Sequence, residues 1–113
     1  MMNNLSELFF ELSHVDRLGI LSTLLESPSK LTTLGDKLGC SSQEVYRHLS
    51  RLIKAGLVLK KPGGDYAISS FGEQIMRLVP GYRFLNMHSG YFVTRDLTLL
   101  PDEFMQRIGE LSG

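Results

Sequence analysis

The stretch Cys40-Ser41-Ser42-Gln43-Glu44-Val45-Tyr46-Arg47-His48-Leu49-Ser50-Arg51-Leu52-Ile53-Lys54-Ala55-Gly56-Leu57-Val58 decides the fold. Ser41 stands three residues before Glu44, the capping-box spacing that satisfies orphan amides at a helix start. Gly56 closes the stretch; glycine takes the left-handed conformation past a helix end at least cost. At about 100° per residue, Val45, His48, Leu49, Leu52 and Ile53 fall on one side of a helix over residues 42–55. Gln43, Tyr46, Arg47, Ser50, Arg51 and Lys54 fall on the other. A polar, basic outer face with an amide and an aromatic suits a helix laid into a DNA major groove, although charged outer faces are also ordinary solvated surface.

The neighbouring segments favour the first reading. Upstream, Leu5, Leu8, Phe9 and Leu12 form one helical stripe, with Phe10 on the opposite side. Ser13 and Asp16 read as a cap, and Leu18, Leu21, Leu24 and Leu25 continue a helix until Ser27-Pro28 stops it. Thr32 or Thr33 starts a short third helix with Leu34 and Leu38 inward, ended by Gly39. The turn Gly39-Cys40-Ser41 leads directly into the central helix, which is helix-turn-helix organisation.

Downstream the period changes from helix to strand. Leu57 to Lys61 reads as a strand, Pro62-Gly63-Gly64-Asp65 as a turn and Tyr66 to Ile68 as the returning strand. This hairpin over residues 57–68 is a wing, with Lys60 and Lys61 entering its tip. Ser69 or Ser70 caps a further helix, Phe71 to Val79, closed by Pro80-Gly81. Residues 1–80 are expected to form the DNA-binding domain and residues 81–113 a helical dimerisation or linker segment of the same compact unit. The fold class is α+β: mainly α with a small hairpin, a winged helix-turn-helix with extra C-terminal helices.

The chain has 113 residues and 42% hydrophobic content, enough for one domain with a core. Formal net charge is zero, but the charge is unevenly placed. Between Lys30 and Lys61 seven basic residues face two acidic ones, a balance of +5, and the remainder carries −5. A basic middle in a neutral chain is expected when one face meets phosphates. The single cysteine excludes an internal disulfide and lends no support to secretion. The first residues carry no cationic segment followed by an apolar run, and no apolar stretch approaches the roughly 18 residues of a membrane span. A cytoplasmic protein without a membrane association is expected.

Residues 13–79 resemble the winged helix-turn-helix domain of ArsR/MarR-type prokaryotic transcription regulators. The carrying residues are Leu34, Leu38-Gly39-Cys40-Ser41, Val45, His48-Leu49, Leu52, Ala55-Gly56-Leu57-Val58, Tyr66, Ile68-Ser69 and Gly72. The tail, Leu100-Pro101-Asp102-Glu103-Phe104 and Arg107-Ile108-Gly109-Glu110-Leu111, is similar to archaeal regulators of methanogens, in which an effector domain follows; that likeness implies that this chain is part of something longer. The resemblance implies DNA contacts from residues matching Ser42, Gln43, Tyr46, Arg47 and Arg51, and the helical projection places all but Ser42 outward. Ser50 and Lys54 join them on the same face, and Lys60 and Lys61 on the wing are suited to phosphates. Arg47 can take a guanine bidentately, Gln43 an adenine, and Tyr46 a thymine methyl or a phosphate.

Some ArsR-type repressors bind metals through paired thiolates, but here Cys40 has no second thiol, and His14, His48 and His88 are scattered along the chain. Cys40 is expected to be a small buried turn residue and His48 a core histidine, so neither a metal nor another cofactor is expected. No catalytic constellation is present, and Gly63-Gly64 is a turn, not a phosphate-binding loop; an enzyme is not expected. Asp102-Glu103 after Pro101 suit a helix start. Projected as one helix, Tyr82 to Val93 shows two apolar stripes: Tyr82, Leu85, Phe92 and Val93, and opposite them Phe84, Met87 and Tyr91. The second stripe, with Phe10, is expected to form a homodimer interface. The competing function is a winged helix used for protein contact within the transcription machinery. A ligand-binding regulator, with the Tyr82–Phe92 aromatics lining a pocket, is a third.

Overall fold

A computed structural model describes residues 4–94 as seven helices and two strands. The order is α1 (Leu5–Leu12), α2 (Val15–Glu26), α3 (Leu31–Leu38), α4 (Ser42–Lys54), β1 (Val58–Lys60), β2 (Tyr66–Ile68), α5 (Ser70–Arg77), α6 (Val79–Met87) and α7 (Ser89–Thr94). The chain divides into two compact units between Met76 and Arg77. The first is a winged helix-turn-helix of the α+β class, with β1 and β2 as an antiparallel hairpin.

Local chemistry sets the ends of these helices. Asn4 caps α1, its side chain accepting from the Glu7 amide at 2.8 Å. The cap of α2 is His14, not Ser13: its Nδ1 accepts from the Asp16 amide at 3.1 Å. α2 stops at Glu26, before Ser27-Pro28 as expected. α3 starts at Leu31, just ahead of the threonines that suggested its start, with Lys30 at the cap and no side-chain cap bond. It ends at Gly39, whose φ of 67° is left-handed.

The core is built from α2, α3, α4 and the base of the wing. Ile20, Leu21, Leu34, Val45, Leu49, Leu52, Leu57 and Val58 are fully buried, each contributing about 1.5–3 kcal/mol relative to exposure. Leu24 joins them, whereas Leu25 lies at the surface, and the α2 stripe turns toward Ile20 in its place. On α4, Val45, Leu49 and Leu52 go inward as the 3.6-residue period requires. Ile53, expected on the same side, is at the edge and exposed.

The wing pairs Val58 with Ile68, Leu59 with Ala67 and Lys60 with Tyr66. Ser29 adds a third row on the other edge of β2, exchanging 3.0 and 2.8 Å backbone bonds with Tyr66. At the base, Ser69 Oγ donates to the Gly56 carbonyl at 2.6 Å and accepts from the Gly72 amide at 2.9 Å. Gly72 lies so close to the hairpin that a Cβ there would collide with the Leu57 carbonyl.

The second unit departs from the sequence-based expectation. Pro80-Gly81 does not end a helix: Pro80 occupies the first turn of α6, where its missing N–H costs nothing and its fixed φ suits the helix. Nor is Tyr82 to Val93 one helix. The chain leaves helical geometry at His88, φ −105° and ψ 18°, and restarts as α7, so a single helical projection across it does not hold. Phe84 and His88 rings meet at 4.6 Å.

Candidate nucleic-acid interface

The central helix α4 is held at both ends. Ser41 Oγ accepts from the Glu44 amide at 3.2 Å, the expected N-cap half of the box, while the Glu44 carboxylate accepts from the Ser41 hydroxyl, also at 3.2 Å. At the other end, Gly56 has φ 81°; its amide donates to Ile53 and the Leu57 amide to Leu52, each at 2.9 Å. This is a Schellman closure, and it sends the chain directly into the wing.

The outward residues of α4 divide into two patches. Ser42, Gln43, Tyr46 and Arg47, at its N-terminal half, share a shallow concavity of about 570 Å³ with Leu31 of α3. All four α4 side chains there are exposed. Among the described residues Arg47 has no ion-pair partner. This is the polar, cationic surface the sequence indicated.

Ser50, Arg51 and Lys54, at the C-terminal half, instead line a groove of about 700 Å³ with Ser6, Glu7, Phe10 and Glu11 of α1. Arg51 is engaged there: Nη2 meets Glu11 Oε1 at 2.6 Å and Nε meets Oε2 at 3.1 Å. That bidentate pairing holds the guanidinium protonated, its pKa raised by the hydrogen bonds and charge of Glu11. The same guanidinium stands 5.2 Å from the Phe10 ring centroid, within cation–π range.

Glu11 and Arg17 are the residues sequence reasoning missed. Glu11, only 9% exposed, is the buried residue of α1, while Leu5, Phe9 and Phe10 remain at the surface. Arg17 Nε donates to the Glu11 carbonyl at 2.6 Å and Nη2 to the Phe10 carbonyl at 3.1 Å. It thereby bonds the last carbonyls of α1, that of Phe10 also accepting from the Ser13 amide and hydroxyl. A charged residue within an apolar stripe is the one local sign of this, and it names no partner.

On the wing, Lys60 and Lys61 are both exposed. Lys60 Nζ stands 5.7 Å from the Tyr66 ring centroid, across the hairpin. The tip is closed by the Lys61 amide donating to Asp65 at 2.7 Å and the Gly64 amide to Lys61 at 2.9 Å. Gly64 supplies the left-handed φ of 93° that the tip needs.

The histidines are not all scattered. His14 and His48 rings come to 4.5 Å, and Asp16 Oδ2 lies 3.9 Å from His14 Nδ1 and 3.9 Å from His48 Nε2. Burial first, then electrostatic repulsion from the neighbouring His14 and Arg17, holds the His48 imidazole below its ordinary pKa. Cys40 is half-buried, not fully buried; desolvation and the Asp16 carboxylate push its thiol up, away from the reactive thiolate. The donor atoms of His14, Asp16 and His48, and those of Asp16, Cys40 and Glu44, each gather within 4.8 Å.

Of the residues expected at a dimer interface, Phe10, Phe84, Met87 and Tyr91 are all exposed, Met87 by 74%. Phe84 and Met87 lie on α6 and Tyr91 on α7, so they do not continue one helical stripe. The tail residues 100–111, with their archaeal likeness, lie outside the described residues. Among the described residues, no helix is long and apolar enough to cross a membrane.

Residues 14–60, from the cap of α2 to the end of β1, match the family model for the bacterial regulatory protein, arsR family. No curated protein matches the chain. Among solved structures, reduced HlyU from Vibrio cholerae is similar at TM-score 0.58 and 26% identity, covering 66% of this chain and 82% of that one. A homodimeric winged helix-turn-helix DNA-binding domain from Mycobacterium bovis, described as a possible ArsR-family transcriptional regulator, has TM-score 0.64 and 19% identity, covering 74% and 82%. Rv0081 from Mycobacterium tuberculosis has TM-score 0.63 and 24% identity, covering 77% and 91%.

Proposed function

We propose that this chain, whose residues 14–60 carry an ArsR-type helix-turn-helix, is a sequence-selective regulator that lays the N-terminal half of α4 into the DNA major groove. The observation that carries this reading is the division of α4. Ser42, Gln43, Tyr46 and Arg47 are exposed together, whereas Arg51 is committed to Glu11. Base readout therefore falls to Gln43, Tyr46 and Arg47, with Ser42 at the helix N-terminus, where backbone amides favour a phosphate. Ser50 and Lys54 flank the groove beside α1 and suit the backbone, and Arg51 holds the α1–α4 seam. Lys60 and Lys61 place wing charge on the phosphates. Such a regulator acts in the cytoplasm, where its DNA is, and needs no catalytic chemistry.

The active form is a homodimer. The similar Mycobacterium bovis domain is described as homodimeric, and Leu5, Phe9 and Phe10 on α1 and Phe84, Met87 and Tyr91 in the second unit are exposed. Apolar surface of this kind favours association. A two-fold dimer requires half-sites about one helical turn, or a multiple, apart. The test is fluorescence anisotropy of the chain against the promoter of its own gene and against random duplex, across a salt series. Tighter binding to one duplex, with log affinity falling as log salt rises, supports the reading. Salt-insensitive binding, or none, would leave the winged helix as a protein-contact module.

A further inference from the structure

We propose that His14, Asp16 and His48 bind one divalent transition-metal ion of the zinc class, clamping the start of α2 to the recognition helix. The three side chains come from the cap of α2, its first turn and the inner side of α4, and their donor atoms lie within 4.8 Å of one another. Asp16 Oδ2 is 3.9 Å from a nitrogen of each histidine. Tetrahedral zinc, with bonds of about 2.0–2.2 Å, sets its donors about 3.3–3.6 Å apart, so closure needs only a few tenths of an ångström along each of these two edges. Two imidazoles and one carboxylate suit zinc, cobalt or nickel, and not calcium or magnesium, which take oxygen ligands. Side-chain exposures of 43% for His14, 27% for Asp16 and 14% for His48 give the ion a way in while shielding the inner ligand.

Two contacts oppose the ion and define what it changes. His48 Nδ1 lies 3.4 Å from Arg17 Nη1. A guanidinium only donates, so Nδ1 accepts there and the proton sits on Nε2, facing Asp16. Coordination through Nε2 moves that proton to Nδ1 and ends the Arg17 contact. Arg17 keeps the Phe10 and Glu11 carbonyls, so ion binding loosens α4 from the α1–α2 corner while tying it to the first turn of α2. Coordination also takes His14 from its cap bond to the Asp16 amide. Cys40 and Glu44 gather with Asp16 in a separate group and are not ligands of this site.

Cobalt(II) chloride titrated into the full chain tests the proposal without DNA, so its failure is separable from failure of the regulator reading. The expected result is visible absorption of four-coordinate cobalt, saturating at one ion per chain and displaced by zinc chloride. His14→Gln and Asp16→Asn should each weaken binding roughly tenfold or more, with helical circular dichroism retained. Cys40→Ser and His88→Gln should leave it unchanged. Zinc should raise the thermal midpoint of the parent chain and not of the His14 variant. Absence of saturable binding, binding that survives both ligand variants, or loss on Cys40→Ser would overturn the site.

Discussion

Arg51 on α4 and Glu11 on α1, forty positions apart in sequence, meet through two hydrogen bonds of 2.6 and 3.1 Å. Glu11 also lies 3.8 Å from Arg17 Nε, so one carboxylate serves two guanidiniums. Glu11→Ala leaves Arg17, which is buried, without its counter-charge. Stability should fall by about 2 kcal/mol, the scale of a charge-assisted hydrogen bond, as read by urea unfolding. Arg51→Ala should cost less than Glu11→Ala, because Arg17 retains its carboxylate.

The division of α4 predicts different consequences for its two arginines. Arg47→Ala should weaken binding to the preferred duplex by about 1–3 kcal/mol and relax preference at one base position. Arg51→Ala should leave base preference intact. A competition assay with single-base operator variants checks both, and equal affinities of the Arg47 variant and the parent would remove Arg47 from readout.

On the wing, Lys60→Ala with Lys61→Ala should weaken all duplexes alike and lower the salt slope by about two phosphate contacts. The measurement is log affinity against log salt. Selective loss on one operator at constant slope would assign these lysines to base contact.

Gly72→Ala should be the most damaging small substitution at the wing base. The added methyl would strike the Leu57 carbonyl and come within 2.9 Å of Ile68 Cγ1, and a backbone atom cannot rotate aside. A loss of about 3 kcal/mol, or failure to fold, is expected by thermal melting. Gly63→Ala, where a Cβ meets nothing, should be nearly neutral.

Dimerisation is checked by light scattering at tens of micromolar. The expected mass is that of a dimer, falling to a monomer on Phe10→Glu or Met87→Glu. A folded, non-aggregating monomer of the parent chain would refute it.

The sequence by itself determined what depends on neighbours a few positions apart. The Ser41 cap, the inward set Val45, Leu49 and Leu52, the Gly56 closure and the hairpin from Val58 to Ile68 all follow from period and turn chemistry. The exposed patch of Gln43, Tyr46 and Arg47 follows with them. Tertiary structure decided everything that depends on how helices meet. Helical phase points Arg51 outward from α4, and only the position of α1 puts Glu11 against it. His14 and His48 are 34 positions apart and touch because α2 lies on α4. Local chemistry read Pro80 as a helix stop, and the structure instead puts it in the first turn of α6. Local propensity reaches about one helical turn, whereas charge pairing and ligand sets are set by packing between elements remote in the chain.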